Sequence, residues 1–271
     1  MVFKNDLNAL LPPRGFSVQI PGAKLPTNKD VYIRSMQQQI AEQYDAARMF
    51  MKETDTSDWD HWFKRPDNDR IATLYEWDRK ANFLECALFY YNIIIDLTWT
   101  LCYVAAEYAI CGSNENMISF EGMVPIDEAW KLLQRAQKNV LAPTAENNPF
   151  GYLAKMAPAY GIAIDMITEF WSNYQSNGIR QLYNYCKHRG KPLYTELQEN
   201  GGANRLFPLY FVGEKREISQ LPSSPFDVMK KVSIKEMLVS LQVFDDEVLF
   251  PYVQELIAEI IKVAQPSPLV I

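Results

Sequence analysis

Cysteine, histidine, glycine and net positive charge are all scarce in this sequence, and each shortage excludes something. Four cysteines in 271 residues are too few for a disulfide scaffold. Cys86, Cys102, Cys111 and Cys186 form no C-x-x-C pair and read as small hydrophobes in a reducing cytoplasm. With two histidines and no H-E-x-x-H or Cys/His pair, no metal is expected. His61 reads as an exposed loop residue beside Trp59 or Trp62, and no other cofactor is expected. The glycines form no phosphate loop after a strand, and no βαβ alternation occurs, which disfavours the nucleotide-binding α/β folds. Acidic residues outnumber basic ones by 33 to 27, a formal charge of −6, so a dedicated binder of double-stranded DNA is excluded.

Long apolar runs are missing too, with one exception. The N-terminal MVFKNDLNALLPPRG has no stretch of signal-peptide length. Residues 87–110, ALFYYNIIIDLTWTLCYVAAEYAI, are long enough to span a bilayer. Asp96 near their middle would cost about 2.5–3.5 kcal/mol on insertion, and no second such segment exists. They are expected to be the buried end of a central helix, with no membrane partner and a cytoplasmic location. Asn92 and Asp96 then need hydrogen-bond partners inside the core.

What the chain does have is helical periodicity. Residues 1–26 are punctuated by proline and glycine and predict an irregular arm. A helix opens at Thr27 or Asn28, with Val31, Met36, Ile40, Tyr44, Ala47 and Phe50 at helical spacing. Residues 54–69 are polar and turn-prone. A long helix then runs from about Asn68 to Ile110, carrying Ile71, Leu74, Ala81, Leu84, Leu88, Tyr91 and Ile95. It has one wet face before Cys86 and is apolar nearly all round beyond it. Further helices are expected over 125–141, over 149–172 with a break at Pro158 and Gly161, and over 179–189. Residues 194–225 hold the strand-like LFPLYFV, suggesting a hairpin. The last helix opens with the capping box Ser233-x-x-Glu236 and has Pro251 as a kink.

The predicted fold class is all-α, a helical bundle of about five to six helices. It has a long buried central helix and a small irregular or β-hairpin insertion. One domain is expected over 27–265, with the insertion at about 191–232 and a tail at 266–271.

The densest basic patch is Ile179–Lys191, IRQLYNYCKHRGK. On a helix, Arg180, Asn184 and His188 share one face. Lys187, Arg189 and Lys191 flank it, and Tyr183 lies nearby. Histidine is the side chain suited to proton transfer near neutral pH, and the cations suit a phosphate. The same residues equally suit a plain helix C-terminus, where Lys187, His188 and Arg189 complement the dipole. The loop with Trp59, Trp62, Lys64 and Arg65 offers weaker stacking chemistry, among five aspartates that work against phosphate.

Asn184-Tyr-Cys-Lys-His188-Arg189-Gly190 resembles the end of the Arg-polar-x-x-x-His motif of the HEPN superfamily, in a bacterial, degenerate form. The resemblance implies an all-α domain that contacts RNA or nucleotide, and a homodimer in which two motifs line one cleft. It also implies a metal-independent endoribonuclease of a defence or stress system. His188 would handle protons around an attacking 2′-hydroxyl, an arginine would stabilise the phosphorus oxygens, and Asn184 would align them. The sequence departs from the motif at Tyr183, which stands where the arginine belongs. Arg180, on the His188 face, and Arg189, if the helix end unwinds, are the candidate substitutes. The other expectation is a non-catalytic helical interaction or dimerisation protein, such as an antitoxin or adaptor.

Overall fold

Helices form where apolar side chains recur every three or four residues, and the computed structural model describes 1–12, 28–56, 67–110, 149–200 and 230–266. These residues make an all-α bundle: α1 (Asn28–Asp55), α2 (Asp69–Ile110), α3 (Pro149–Met156), α4 (Gly161–Tyr174), α5 (Gly178–Arg189), α6 (Thr195–Glu199), α7 (Ile234–Phe244) and α8 (Phe250–Ala264). The only strands among the described residues are β1 (Leu193–Tyr194) and β2 (Lys231–Val232), paired in parallel with Leu193 opposite Lys231. The expected helix over 125–141, the strand-like run 206–212 and the loop residues Trp59, His61, Trp62, Lys64 and Arg65 lie outside the described residues, as does Cys111.

The chain groups into two compact units. The first holds Met1–Phe3, Ala46–Tyr90 and Gly178–Phe244; the second holds Lys4–Asp45, Tyr91–Asn177 and Asp245–Ile271.

In the second unit, Ile33, Ile40 and Tyr44 of α1 are fully buried. Val31 points outward at 43% exposure, and Ile33 takes its place. Tyr44 meets Tyr91 and Phe250 edge-on, Trp99 meets Phe150 and Trp171, and Phe170 stacks on Tyr252 at 3.9 Å. Such ring pairs bury large apolar areas. The first turns of α1 tie down the C-terminal end of α8. Lys29 Nζ donates to the Ala264 carbonyl and Arg34 to that of Pro266, cations at the negative end of a helix. The N-terminal arm contains a short 3-10 turn, Leu7–Leu10, capped by Asp6. Leu10 is fully buried, and its carbonyl accepts from Gln37.

α2 begins as expected, with Asn68 Oδ1 accepting from the Ile71 amide. Over Asp69–Ala106 it is long and apolar enough to cross a membrane, with 67% of its most apolar window buried. Two expectations for it need correction. Ile71 is 44% exposed. Its second half is not enclosed all round, because Ile93 and Asp96 are both exposed. They sit three residues apart on one outward stripe. Asn92 alone of the expected buried polar pair is inside, accepting from the Tyr174 hydroxyl at 2.9 Å.

The break between α3 and α4 falls at Pro158–Tyr160, as the proline and glycine required. The final helical run continues from α7 through a π turn, Asp245–Leu249, into α8, with Pro251 in the first turn after it.

In the first unit, Phe50 stacks on Phe83 and Tyr90. The Arg48 guanidinium lies 4.5 Å from the Phe3 ring. Gln242 donates to the Val2 carbonyl. Against this body lie α5, the β1–β2 pair and the start of α7.

Candidate functional site

α5 forms because Ile179, Leu182 and Tyr183 supply one buried face and because Gly190, at φ +92°, ends it in a conformation that favours glycine. The exposed end carries Lys187, His188 and Arg189, with Arg180 and Asn184 half-buried further back. Arg180 and His188 are eight residues apart, about 12 Å along the axis. They share a face without converging on one phosphate.

Tyr183, at the position of the motif arginine, is a packing residue. It is 9% exposed and meets Phe89 edge-on at 5.3 Å. Arg180 and Lys187 lie 5.1 and 5.6 Å from its ring centroid, cation–π distances. The predicted residues therefore divide. Arg180, Tyr183 and Lys187 form one cluster, and His188 with Arg189 forms the helix end. Lys191 turns to α2, donating to Asn82 at 2.7 Å and pairing with Asp78 at 3.3 Å. Part of its charge is thereby committed.

Sequence reasoning missed a half-buried acid beside this helix. Glu85 on α2 accepts from the Tyr194 hydroxyl at 2.8 Å. Burial raises its carboxyl above the usual range, against the opposing pull of that hydrogen bond and of Lys191. Burial and the charge of Glu85 push the Cys186 thiol up to about 11, and Cys102, fully buried, goes to about 12. Both thiols are protonated and unreactive at neutral pH. The signal in the sequence was a lone acid where α2 turns apolar.

A second missed element is Glu196 on α6. Its carboxylate accepts from the Ser233 hydroxyl and from the Ile234 and Lys235 amides at 2.9–3.1 Å. Burial works to raise this carboxyl, but those bonds outweigh it and hold it below the usual range. The expected Ser233 cap forms as well, its hydroxyl accepting from the Glu236 amide at 3.3 Å. Beside it lies a depression of about 400 Å³ that includes Thr195, Glu199, Lys231 and Lys235 in its lining. Among the described residues no group of three or more acidic, histidine or cysteine side chains could hold a metal.

No family model matches this chain, and neither do any curated proteins or solved structures. Its own geometry carries the functional reading. The exposed end of α5 can offer hydrogen bonds and charge to an anion.

Proposed function

We propose that this is a HEPN-like protein that binds RNA or nucleotide phosphate at the exposed end of α5, acting as a homodimer in the cytoplasm. The observation that carries the reading is the run Lys187-His188-Arg189, all exposed. Tyr183, in the place of the motif arginine, is meanwhile folded against Phe89. That combination favours holding over cutting. Strand cleavage needs a cation on the phosphorus oxygens while a base removes the 2′-hydroxyl proton, and Arg180 lies two helical turns from His188. The C-terminal end of a helix also repels anions, so part of the cationic charge offsets the dipole and the expected affinity is modest.

The test is binding and cleavage of a structured RNA by the purified protein in EDTA, wild type beside His188→Ala and a Lys187→Ala/Arg189→Ala double variant. The expected result is binding without cleavage, weakened at least tenfold in the double variant. Cleavage lost only in His188→Ala would restore the metal-independent endoribonuclease. RNA binding by none of the proteins would leave the interaction or adaptor reading. That alternative draws on Val239 and Val243, 62% and 47% exposed one turn apart on α7.

A further inference from the structure

Lys191 belongs to the basic run of α5 by sequence and to α2 by contact. It follows Gly190, whose φ of +92° ends the helix, and stands two residues after the exposed Arg189. Its ammonium is drawn into a ring of three side chains within the first unit. Lys191 Nζ donates to Asn82 Oδ1 at 2.7 Å and to Asp78 Oδ1 at 3.3 Å. Asn82 Nδ2 closes the ring by donating to Asp78 Oδ2 at 3.4 Å. Asp78 and Asn82 are four residues apart and so share a face of α2.

The chain is held in place here without that ring. Leu193 and Tyr194 are both 2% exposed. The Leu193 amide donates to the Lys230 carbonyl at 2.9 Å, and the Tyr194 hydroxyl to Glu85. The ring itself is open to solvent, with the Lys191 and Asp78 side chains 34% and 45% exposed. An ion pair so placed adds little to stability, and it is exchangeable. An ammonium has three donors, and the ring uses two of them. A phosphate oxygen accepts a stronger bond from a cation than a neutral amide does. The flexible stem of lysine, next to the turn at Gly190, lets the ammonium swing from α2 toward the end of α5.

We infer that Asp78 and Asn82 hold Lys191 in an autoinhibitory contact: they withhold a third phosphate-binding cation from the Lys187–Arg189 end of α5, and its release tightens the grip on single-stranded RNA. This deepens the RNA-binding reading of α5 and rests on that reading for the class of ligand.

The experiment is fluorescence anisotropy of a labelled single-stranded oligouridylate titrated with the full chain across a KCl series. The proteins compared are wild type, Asp78→Asn, Lys191→Met and the Asp78→Asn/Lys191→Met double variant. Asp78→Asn removes the charge and keeps the shape, and Lys191→Met keeps the apolar stem. Asp78→Asn is expected to bind about two- to fivefold tighter, the strength of an exposed ion pair. Its dependence of log K on log salt should steepen by about 0.7, one further phosphate on a single strand. Lys191→Met and the double variant are both expected at wild-type affinity. A gain that survives in the double variant is the general effect of one negative charge fewer and overturns the contact. Weaker binding by Lys191→Met alone overturns it as well, because Lys191 then already touches RNA. If wild type binds and Asp78→Asn binds no tighter, the contact is overturned and the α5 site stands. If none of the four proteins binds, the α5 site falls and the contact with it.

Discussion

At the scale of single residues, two acids make contributions that can be tested. Asp245 is fully buried, and the Tyr91 hydroxyl donates to it at 2.6 Å. Removing a donor to a buried carboxylate leaves its desolvation uncompensated, so Tyr91→Phe is expected to cost about 1–3 kcal/mol in urea unfolding. A loss under half a kcal/mol would show that other groups satisfy Asp245. Glu85 is half-buried. Its carboxyl is raised in the folded state, so the folded chain holds that proton more tightly than the unfolded one. The associated stability is present below the unfolded value and is lost as pH rises through the folded one. Glu85→Gln keeps an acceptor for Tyr194 and removes the charge. Its midpoint in urea relative to wild type is expected to improve as pH rises from 4 to 8, and a constant difference would sink the assignment.

The elements show what could be read in advance. Asn68 and Ser233 open their helices in the sequence because a cap is a local signal, acting within four residues of itself. Pro158 and Gly161 break theirs for equally local reasons. The failures are those of facing. Ile71 and Val31 carry the right spacing but lie at the edge of an apolar stripe, where exposure depends on which neighbour arrives. Asp96 looked enclosed because nearly every residue around it is apolar, yet its side of α2 is open. Contacts made at long range left no mark at all. Glu196 caps α7 from 37 residues upstream of Ser233, and Tyr183 reads as a motif defect until Phe89 is placed beside it. For α7 the distant cap has a measurable consequence. Glu196→Ala strips acceptors from two amides and a hydroxyl and is expected to cost about 1–2 kcal/mol. The Glu196 carboxyl is held low, so its contribution is present above the ordinary carboxylate pKa and disappears as pH falls through the folded value. Thermal melts of wild type and variant should therefore converge toward pH 3. Parallel curves would mean that Glu196 acts by packing and not as an anion on the helix end.

For the whole molecule, the governing quantity is charge distribution. A chain of net charge −6 repels polyanions at long range, so any RNA it holds must be held by a few local cations against an unfavourable field. Two exposed candidates on α5 stand outside the Tyr194–Glu85 cluster, Lys187 and Arg189. Lys191 is left out because Asp78 and Asn82 already engage it. Each phosphate neutralised on a single strand contributes about 0.7 to the dependence of log K on log salt, so two contacts predict a slope of about −1.4. Single strands can bring their phosphates to these side chains one by one. Duplex DNA presents a stiff, dense row of charge to an acidic surface, so its affinity should be lower throughout. Anisotropy titrations across a KCl series measure both slopes directly. A flat line for RNA would remove the phosphate contacts from α5, and equal affinity for duplex DNA would remove the preference for unpaired strands.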